Sequence, residues 1–385
     1  MQDRLVAVRR GLTDAPADLV VERLADVLAR CYDLTDVEYL QVDYRLSGLL
    51  PLRDGDPQTL AGSPAWRCFD HQAEVLEHGA NYLPVTMRGE RMGVLRVAPA
   101  VDDPVVRAEL TEIATLLAHE LSAVRAGTDR YSIGARSRRL TLAAEMQWEM
   151  LPGRSRIRPS FSLAGQLEPA YAVHGDSFDW SDDSDRLWLS AINGMGEGVS
   201  AATLTCLGTY ALRNARRAGL SLADQAALAD QAIFSQYTGA LHLAALLLEL
   251  DLTTGALTVV DAGSPRLILL RGGALIYQEL EQQFPLGMFD GTIYHEQHLD
   301  LAVGDRLFVI SDGVVNAATE TARYGEAALD RFLRRAGSLS PLDAVRSLLG
   351  DLRAFVASDL VDDAVAVCLD WTGPAADRTA GSRAQ

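Results

Sequence analysis

Cysteine is scarce and scattered in this chain. Cys31, Cys68, Cys206 and Cys368 are the four it has, and no two form a C-x-x-C pair. A disulfide scaffold or a thiolate zinc site has no framework here, so reduced and mostly buried thiols are expected. Long apolar runs are missing as well. None approaches the roughly 18–20 residues needed to span a bilayer, so no membrane-spanning helix is expected. The opening residues, MQDRLVAVRRGLTD, lack the apolar core of a secretory signal, and a cytoplasmic protein is the plain expectation. Basic clusters are few: the patch Arg136-Ser137-Arg138-Arg139 stands against a net charge of −17. Most of such a surface repels a nucleic-acid backbone, which sets that partner class aside.

What the chain does have is length and apolar content. Its 385 residues, 48% of them apolar, suit two or three domains that each bury a core. The stretch around which the rest is organised runs from Tyr171 to Leu204. There a strand-like LWLSAI (187–192) empties into Asn193-Gly194-Met195-Gly196-Glu197-Gly198, and a helix-forming run begins at Val199. A strand–glycine turn–helix junction aims backbone groups and one side chain at a single point. Asp176 ends another strand-like segment, Asp312 follows the strand DRLFVIS, and Asp362-Asp363 open the strand DDAVAVCLDW. Carboxylates gathered at strand ends are how a sheet builds a site for hard divalent cations.

Upstream, residues 16–31 place Leu19, Val20, Leu24, Val27, Leu28 and Cys31 near one helical face. Strand-like pieces follow at 37–46, 73–78, 81–89 and 90–99, the last two meeting in a hairpin turn at Arg88-Gly89-Glu90. A long amphipathic helix is then expected from Pro104 to about residue 126. This order, with the wording YLPVTMRGERMGVLRV, resembles a GAF domain, a small sensory fold. Trp66, Cys68, Phe69 and Tyr82 either line a ligand pocket there or form its core. A second helix is expected over 136–151, with Leu140, Leu142, Ala143, Met146, Gln147 and Met150 forming a partly heptad-like seam that could pair two chains. The expected organisation is a GAF-like sensory domain at 1–127, a helical connector and dimerisation segment at 128–154, an α+β sandwich at 155–372, and a disordered tail at 373–385.

Seven pieces, in order, resemble one family. They are AEMQWEMLP (144–152), HGDSFDW (174–180), INGMGEGVSAA (192–202), VVDAGSPRLILL (259–270), FPLGM (284–288), VGDRLFVISDGVVNA (303–317) and DDAVAV (362–367). They look like the SpoIIE-type branch of the PPM (type 2C-like) metal-dependent protein phosphatases. The resemblance covers about residues 140–370. It implies two β-sheets flanked by helices, with two Mn²⁺ or Mg²⁺ ions at one end. It also implies the ligands, position by position: Asp176, the residue at 193 with the carbonyl of Gly194, Asp312, and Asp362 with Asp363 as the alternative. Two such ions about 3.5–4 Å apart would hold and acidify an attacking water.

Position 193 departs from that pattern. The family's aspartate there bridges both ions, whereas Asn193 offers one acceptor oxygen and an NH₂ that repels a cation. A full negative charge is also lost from between two dications, worth roughly several kcal/mol at an effective dielectric of about 20. His174 replaces a glycine, Ser264 replaces a histidine, and Leu241-His242-Leu243 lacks the usual threonine. Glu197 is a candidate replacement carboxylate, while Asp179, Asp182, Asp183 and Asp185 are expected in a solvated turn. The expectation is therefore a signalling regulator with a degenerate phosphatase site that binds at most one ion weakly. By resemblance its partner is a phosphoprotein or an anti-sigma-factor antagonist or anti-sigma-type protein, and the chain is expected to be a homodimer. The alternative is an active phosphoserine/phosphothreonine phosphatase controlled by the GAF-like domain, on which a small-molecule ligand could act.

Overall fold

The structure, a computed structural model, describes residues 2–52, 55–59, 62–137, 139–169, 173–263, 265–319, 321–357 and 360–375. Ser264 and most of the expected tail lie outside the described residues. The chain divides into two compact units, Met1–Arg139 and Leu140–Gln385. The residues expected to form a separate connector are shared between them. No helix among the described residues is long and apolar enough to cross a membrane.

The first unit contains α1 (Gln2–Thr13), α2 (Val20–Tyr32), β1 (Asp36–Val42), β2 (Leu49–Pro51), α3 (Pro64–His71), β3 (Val75–Glu77), β4 (Ala80–Met87), β5 (Glu90–Ala98), α4 (Pro104–Val124) and α5 (Arg130–Gly134). Its strands form one antiparallel sheet in the order β2-β1-β5-β4-β3. The β4–β5 hairpin turns where expected, with Arg88 and Gly89 at φ 52° and 94°. Two successive left-handed residues suit the right-handed twist of the flanking strands. Val20, Leu24 and Leu28 of α2 and Leu110, Ile113 and Leu117 of α4 share one core with Val85, Leu95 and Val97 of the sheet. Trp66, Cys68, Phe69 and Tyr82 are all buried. The sequence pattern missed α1 and α5. The latter is tied to its own unit where Gln41 Nε2 donates to the Tyr131 carbonyl at 2.6 Å and Tyr131 donates its hydroxyl to Ala17 O at 3.1 Å.

The second unit contains α6 (Leu142–Met150), β6 (Ser155–Ile157), β7 (Phe161–Glu168), β8 (Ser177–Asp182), β9 (Arg186–Gly194), α7 (Gly198–Arg217), α8 (Leu222–Tyr237), β10 (Leu243–Asp251), β11 (Ala256–Ala262), β12 (Arg266–Arg271), β13 (Ala274–Tyr277), β14 (Gln297–Asp300), β15 (Arg306–Ile310), α9 (Asp312–Asn316), α10 (Gly325–Arg335), α11 (Pro341–Val356) and β16 (Ala364–Trp371). Its strands make two sheets, β14-β11-β10-β9-β8 and β13-β12-β15-β16-β7-β6, with antiparallel neighbours throughout. The period-2 alternation of side chains decides what lies between them. Leu246, Leu248 and Leu250 of β10 join Leu307 and Val309 of β15 and Val365, Val367 and Leu369 of β16 in one core. The intervening Leu243, Ala245 and Leu247 meet Leu204 and Leu212 of α7 and Ile233 of α8 on the other face. Helix α11 covers β7 and β16. The result is the expected α+β sandwich, two sheets with helices on the outside.

The helix expected over 136–151 is shorter than that. Thr141 caps it, accepting from Ala144 N at 3.2 Å, and the helix runs only from Leu142 to Met150. Ala143, Gln147 and Met150 of the expected seam are buried and α6 lies against α7, so half of that seam is used within this unit, while Leu142 is exposed.

Candidate functional site

The sandwich brings four separate stretches to one end. The 173–176 turn precedes β8, Asn193 and Gly194 end β9, Ser311-Asp312-Gly313 follows β15, and Asp362-Asp363 precedes β16. The first two belong to the five-stranded sheet and the last two to the six-stranded sheet. Their approach is close enough to require glycine. A Cβ on Gly313 would lie 1.9 Å from the Asp363 carbonyl oxygen, and one on Gly194 would lie 2.6 Å from Thr205 Oγ1. Gly175 has a φ of +95°, and its carbonyl accepts from Thr205 Oγ1 at 2.6 Å and Gly194 N at 3.2 Å. Such a backbone angle is cheap only for glycine.

The carboxylates at this end differ sharply in their partners. Asp363 is fully buried, and its Oδ2 accepts from His174 N and Gly175 N at 2.9 Å each, Asp176 N at 3.3 Å, and Gln147 Nε2 at 2.8 Å. Gln147 also donates to the Asp176 carbonyl at 2.9 Å. An oxygen so occupied has no lone pair left for a cation. Through this oxygen Asp363, the alternative ligand read from the sequence, pins the turn that carries Asp176. Gln147 was read as one residue of a partly heptad-like seam. It is a fully buried polar link, a role with no sequence signal beyond a polar residue on an otherwise apolar face.

Asp176 is also fully buried, yet neither of its carboxylate oxygens has a partner at hydrogen-bond geometry. Burial pushes its carboxyl well above the usual carboxylate range. Asp363, Asp362 and Asp312 add to the rise, and the Ser311 hydroxyl opposes it. Asp362 is only partly buried, and its carboxyl is raised by burial and then by Asp312, with His174 opposing. The His174 Nδ1 lies 3.9 Å from Asp362 Oδ1.

Asn193 turns its amide toward Asp312, Nδ2 donating to Oδ1 at 2.8 Å, and Asn316 Nδ2 lies 3.5 Å from the other oxygen. A carboxylate can only accept, which settles which end of the Asn193 amide faces it. Beside Asp362 is a cavity of about 180 Å³ lined by Gly313, Asn316, Val356 and Leu360 among others, with no Lys or Arg among the described residues of its lining. A phosphoryl group there would meet carboxylate without a countercharge.

These observations bear on a bridged pair of divalent ions. The buried, unpartnered Asp176 suits a cation. The residue at 193 does not, because it presents N–H where a bridging oxygen is needed. As the side chains stand, no three His, Cys, Asp or Glu among the described residues are gathered closely enough to grip an ion. The donor set does not fit the pair.

Residues 183–372 match the family model described as Stage II sporulation protein E (SpoIIE). That stretch, just under half of the chain, is similar to the SpoIIE family. The matched residues lie in the second unit and take in five of the seven ordered motifs, from 192–202 to 362–367. Similar solved structures include the RsbU and RsbW domains of Rv1364c from Mycobacterium tuberculosis. That chain is 26% identical, the match covers 58% of this chain and 62% of that one, and the TM-score is 0.49. The PP2C phosphatase domain with a regulatory fragment of SpoIIE from Bacillus subtilis is 18% identical, with coverages of 55% and 63% and a TM-score of 0.46. RsbX in complex with magnesium is 16% identical, with coverages of 56% and 98% and a TM-score of 0.44. This chain therefore spans less than two thirds of the length of the first two.

The remaining candidates in the second unit fall away from the carboxylates. Glu197 is exposed in the 195–198 turn. Leu243 pairs with Gly194 in register, and the His242 carbonyl accepts from Met195 N at 3.2 Å, so this strand start supports the turn through backbone. Asp179 corrects the expectation of a solvated turn. It is 3% exposed and holds Arg213 (2.9 Å) and Arg216 (3.3 Å) of α7. The cause is the helix, whose i, i+3 arginines reach back over β8, a long-range pairing that local composition does not reveal. Asp182 pairs with Arg156 and Arg158. Asp183 and Asp185 are exposed in the turn, as expected.

Proposed function

We propose that this chain is a signalling regulator whose SpoIIE-like second unit is a degenerate phosphatase, retaining the fold as a protein-binding module with weak or no turnover. The observation that carries this reading is the 2.8 Å hydrogen bond from Asn193 Nδ2 to Asp312 Oδ1. At the position of the family's bridging carboxylate, an N–H donor satisfies one oxygen of a second family ligand. That removes one charge from between the ions and engages another ligand, so Mn²⁺ or Mg²⁺ binds at most once and weakly. Asp176, Asp312, Asp362 and the Gly194 carbonyl are the groups that would hold such an ion, and its chemistry would be to acidify a bound water. The partner is a phosphoprotein of the anti-sigma-factor-antagonist kind, in the cytoplasm. The first unit acts as a GAF-like sensor open to a small-molecule effector, and the chain works as a homodimer. Sedimentation giving a monomer at micromolar concentration would remove the dimer from this reading.

One observation favours the alternative, an active metal-dependent phosphoserine/phosphothreonine phosphatase. Asp176 is buried without a partner, an arrangement that a cation would relieve. Hydrolysis of p-nitrophenyl phosphate in Mn²⁺, run with the native chain, decides between the two. Weak or absent turnover is expected, and clear Mn²⁺-dependent turnover would establish the alternative.

A further inference from the structure

The two sheets of the second unit need something to hold them together where the carboxylates converge. We propose that a clamp of the protein's own N–H donors does this, so that closure of the site end is independent of divalent metal. The proposal rests on the degenerate-phosphatase reading, which supplies the reason a metal pair is not there to do it.

Two contacts make the clamp, and both run from one sheet to the other. At the first, Asn193 at the end of β9 donates to Asp312 beyond β15 at 2.8 Å. At the second, Asp363 before β16 accepts the N–H groups of His174, Gly175 and Asp176 before β8. Gln147 of α6 donates to Asp363 Oδ2 and to the Asp176 carbonyl, fastening a helix to the same point. On the six-stranded side, Ser311 N donates to Val365 O at 3.0 Å and Val365 N donates to Ser311 Oγ at 2.9 Å, so Asp312 and Asp363 are held to each other. Every donor in these contacts is a neutral N–H, on the backbone at 174–176, Ser311 and Val365 and on the side-chain amides of Asn193 and Gln147, and none is an ion. In a site whose position 193 is a carboxylate, Asp312 would face a like charge, and a cation between them would be needed to draw the sheets together. Exchanging NH₂ for O⁻ at this one position reverses the sign of the contact, from attraction without metal to repulsion without metal.

Hydrogen exchange by mass spectrometry on the full chain, with EDTA and with Mn²⁺, tests this, read at segments 193–198 and 312–316 and alongside the melting temperature. The native chain should show the same protection and the same Tm in EDTA and in Mn²⁺. Asn193→Ala should lose protection in both segments, with Mn²⁺ restoring nothing. Asn193→Asp should lose protection in EDTA, melt about 2–4 °C lower, and recover both on adding Mn²⁺. EDTA loosening these segments in the native chain, or Mn²⁺ raising its Tm as much as that of Asn193→Asp, would overturn the clamp. If Asn193→Asp does not fold, the native chain and Asn193→Ala decide it alone. A phosphatase assay on the same samples separates the two readings. Native turnover defeats the degenerate-phosphatase reading, whereas EDTA sensitivity without turnover defeats only the clamp.

Discussion

Asp176 and Asp363 are both fully buried at the same end of one sandwich, yet they have opposite surroundings. Asp363 is met by three backbone N–H groups and the Gln147 amide, while neither Asp176 oxygen has a partner at good hydrogen-bond geometry and only the Ser311 hydroxyl bears on it favourably. Burial costs a carboxylate several kcal/mol, and only bonded donors or a countercharge offset it. Identical side chains at identical burial are therefore a structural pin in one case and a group awaiting a proton or a cation in the other. Burial alone does not tell a ligand from a support; the donors do.

The largest effect expected from breaking this contrast is at the pin. Asp363→Ala leaves the donors of the 174–176 turn and the Gln147 amide without an acceptor in a dry place. It should destabilise the second unit by about 3–5 kcal/mol in urea unfolding. Asp363→Asn, which keeps an acceptor oxygen, should lose clearly less. Equal losses in the two would show that the charge and not the acceptor geometry holds the turn.

The orphan should behave in the opposite sense. Asp176→Asn removes a buried carboxyl whose ionisation burial disfavours, and should raise stability by about 1–3 kcal/mol at neutral pH without metal. A loss of stability would mean that Asp176 is paired in solution and that the contrast with Asp363 is false.

A smaller effect is expected at Asp230 of α8, a buried carboxylate between these extremes. Its Oδ1 accepts from Gly287 N at 2.7 Å and from the Tyr294 hydroxyl at 3.1 Å. Burial still raises its carboxyl above the ordinary value, with those bonds opposing. A folded value above the unfolded one means that this group's stabilisation is full below the unfolded pKa and is lost as pH rises through the folded pKa. Between mildly acidic and neutral pH the native chain should therefore lose more stability than Asp230→Asn does, read from urea midpoints. Parallel curves would show that the two hydrogen bonds already offset burial.

The thiols give the smallest readout. Burial pushes Cys68 up to about 12, and it raises Cys368 as well, whereas Cys31 and Cys206 are only partly buried. Native-state alkylation should label Cys31 and Cys206 first.

The sequence made some of this legible and hid the rest for physical reasons. Asn193, Asp312 and Asp362 could be placed because strand-end carboxylates and glycine turns leave local wording. The sandwich was legible for a similar reason: β9, β10, β15 and β16 read as apolar runs of strand length, and α7 and α8 as helices between them. Asp363 as a pin was not legible, because its role depends on three backbone N–H groups of a turn 187–189 residues away. Gln147 and the Asp179–Arg213 pair were missed for the same reason, since buried polar partnerships are made by tertiary contact. Helix α6 was read too long because its periodic pattern runs upstream of Thr141, where a side-chain cap starts the helix. Composition could not show that cap being used.

The central claim is that the amide at position 193, turned onto Asp312, is what denies this site its metal pair. Calorimetric titration of Mn²⁺ into the native chain and into Asn193→Asp tests it most directly. The account predicts at most one weakly bound ion in the native chain, and two ions with tighter binding in the variant, accompanied by a gain in phosphatase turnover. Two tightly bound ions in the native chain would contradict it. So would a folded Asn193→Asp that binds no better, which would place the defect at another position.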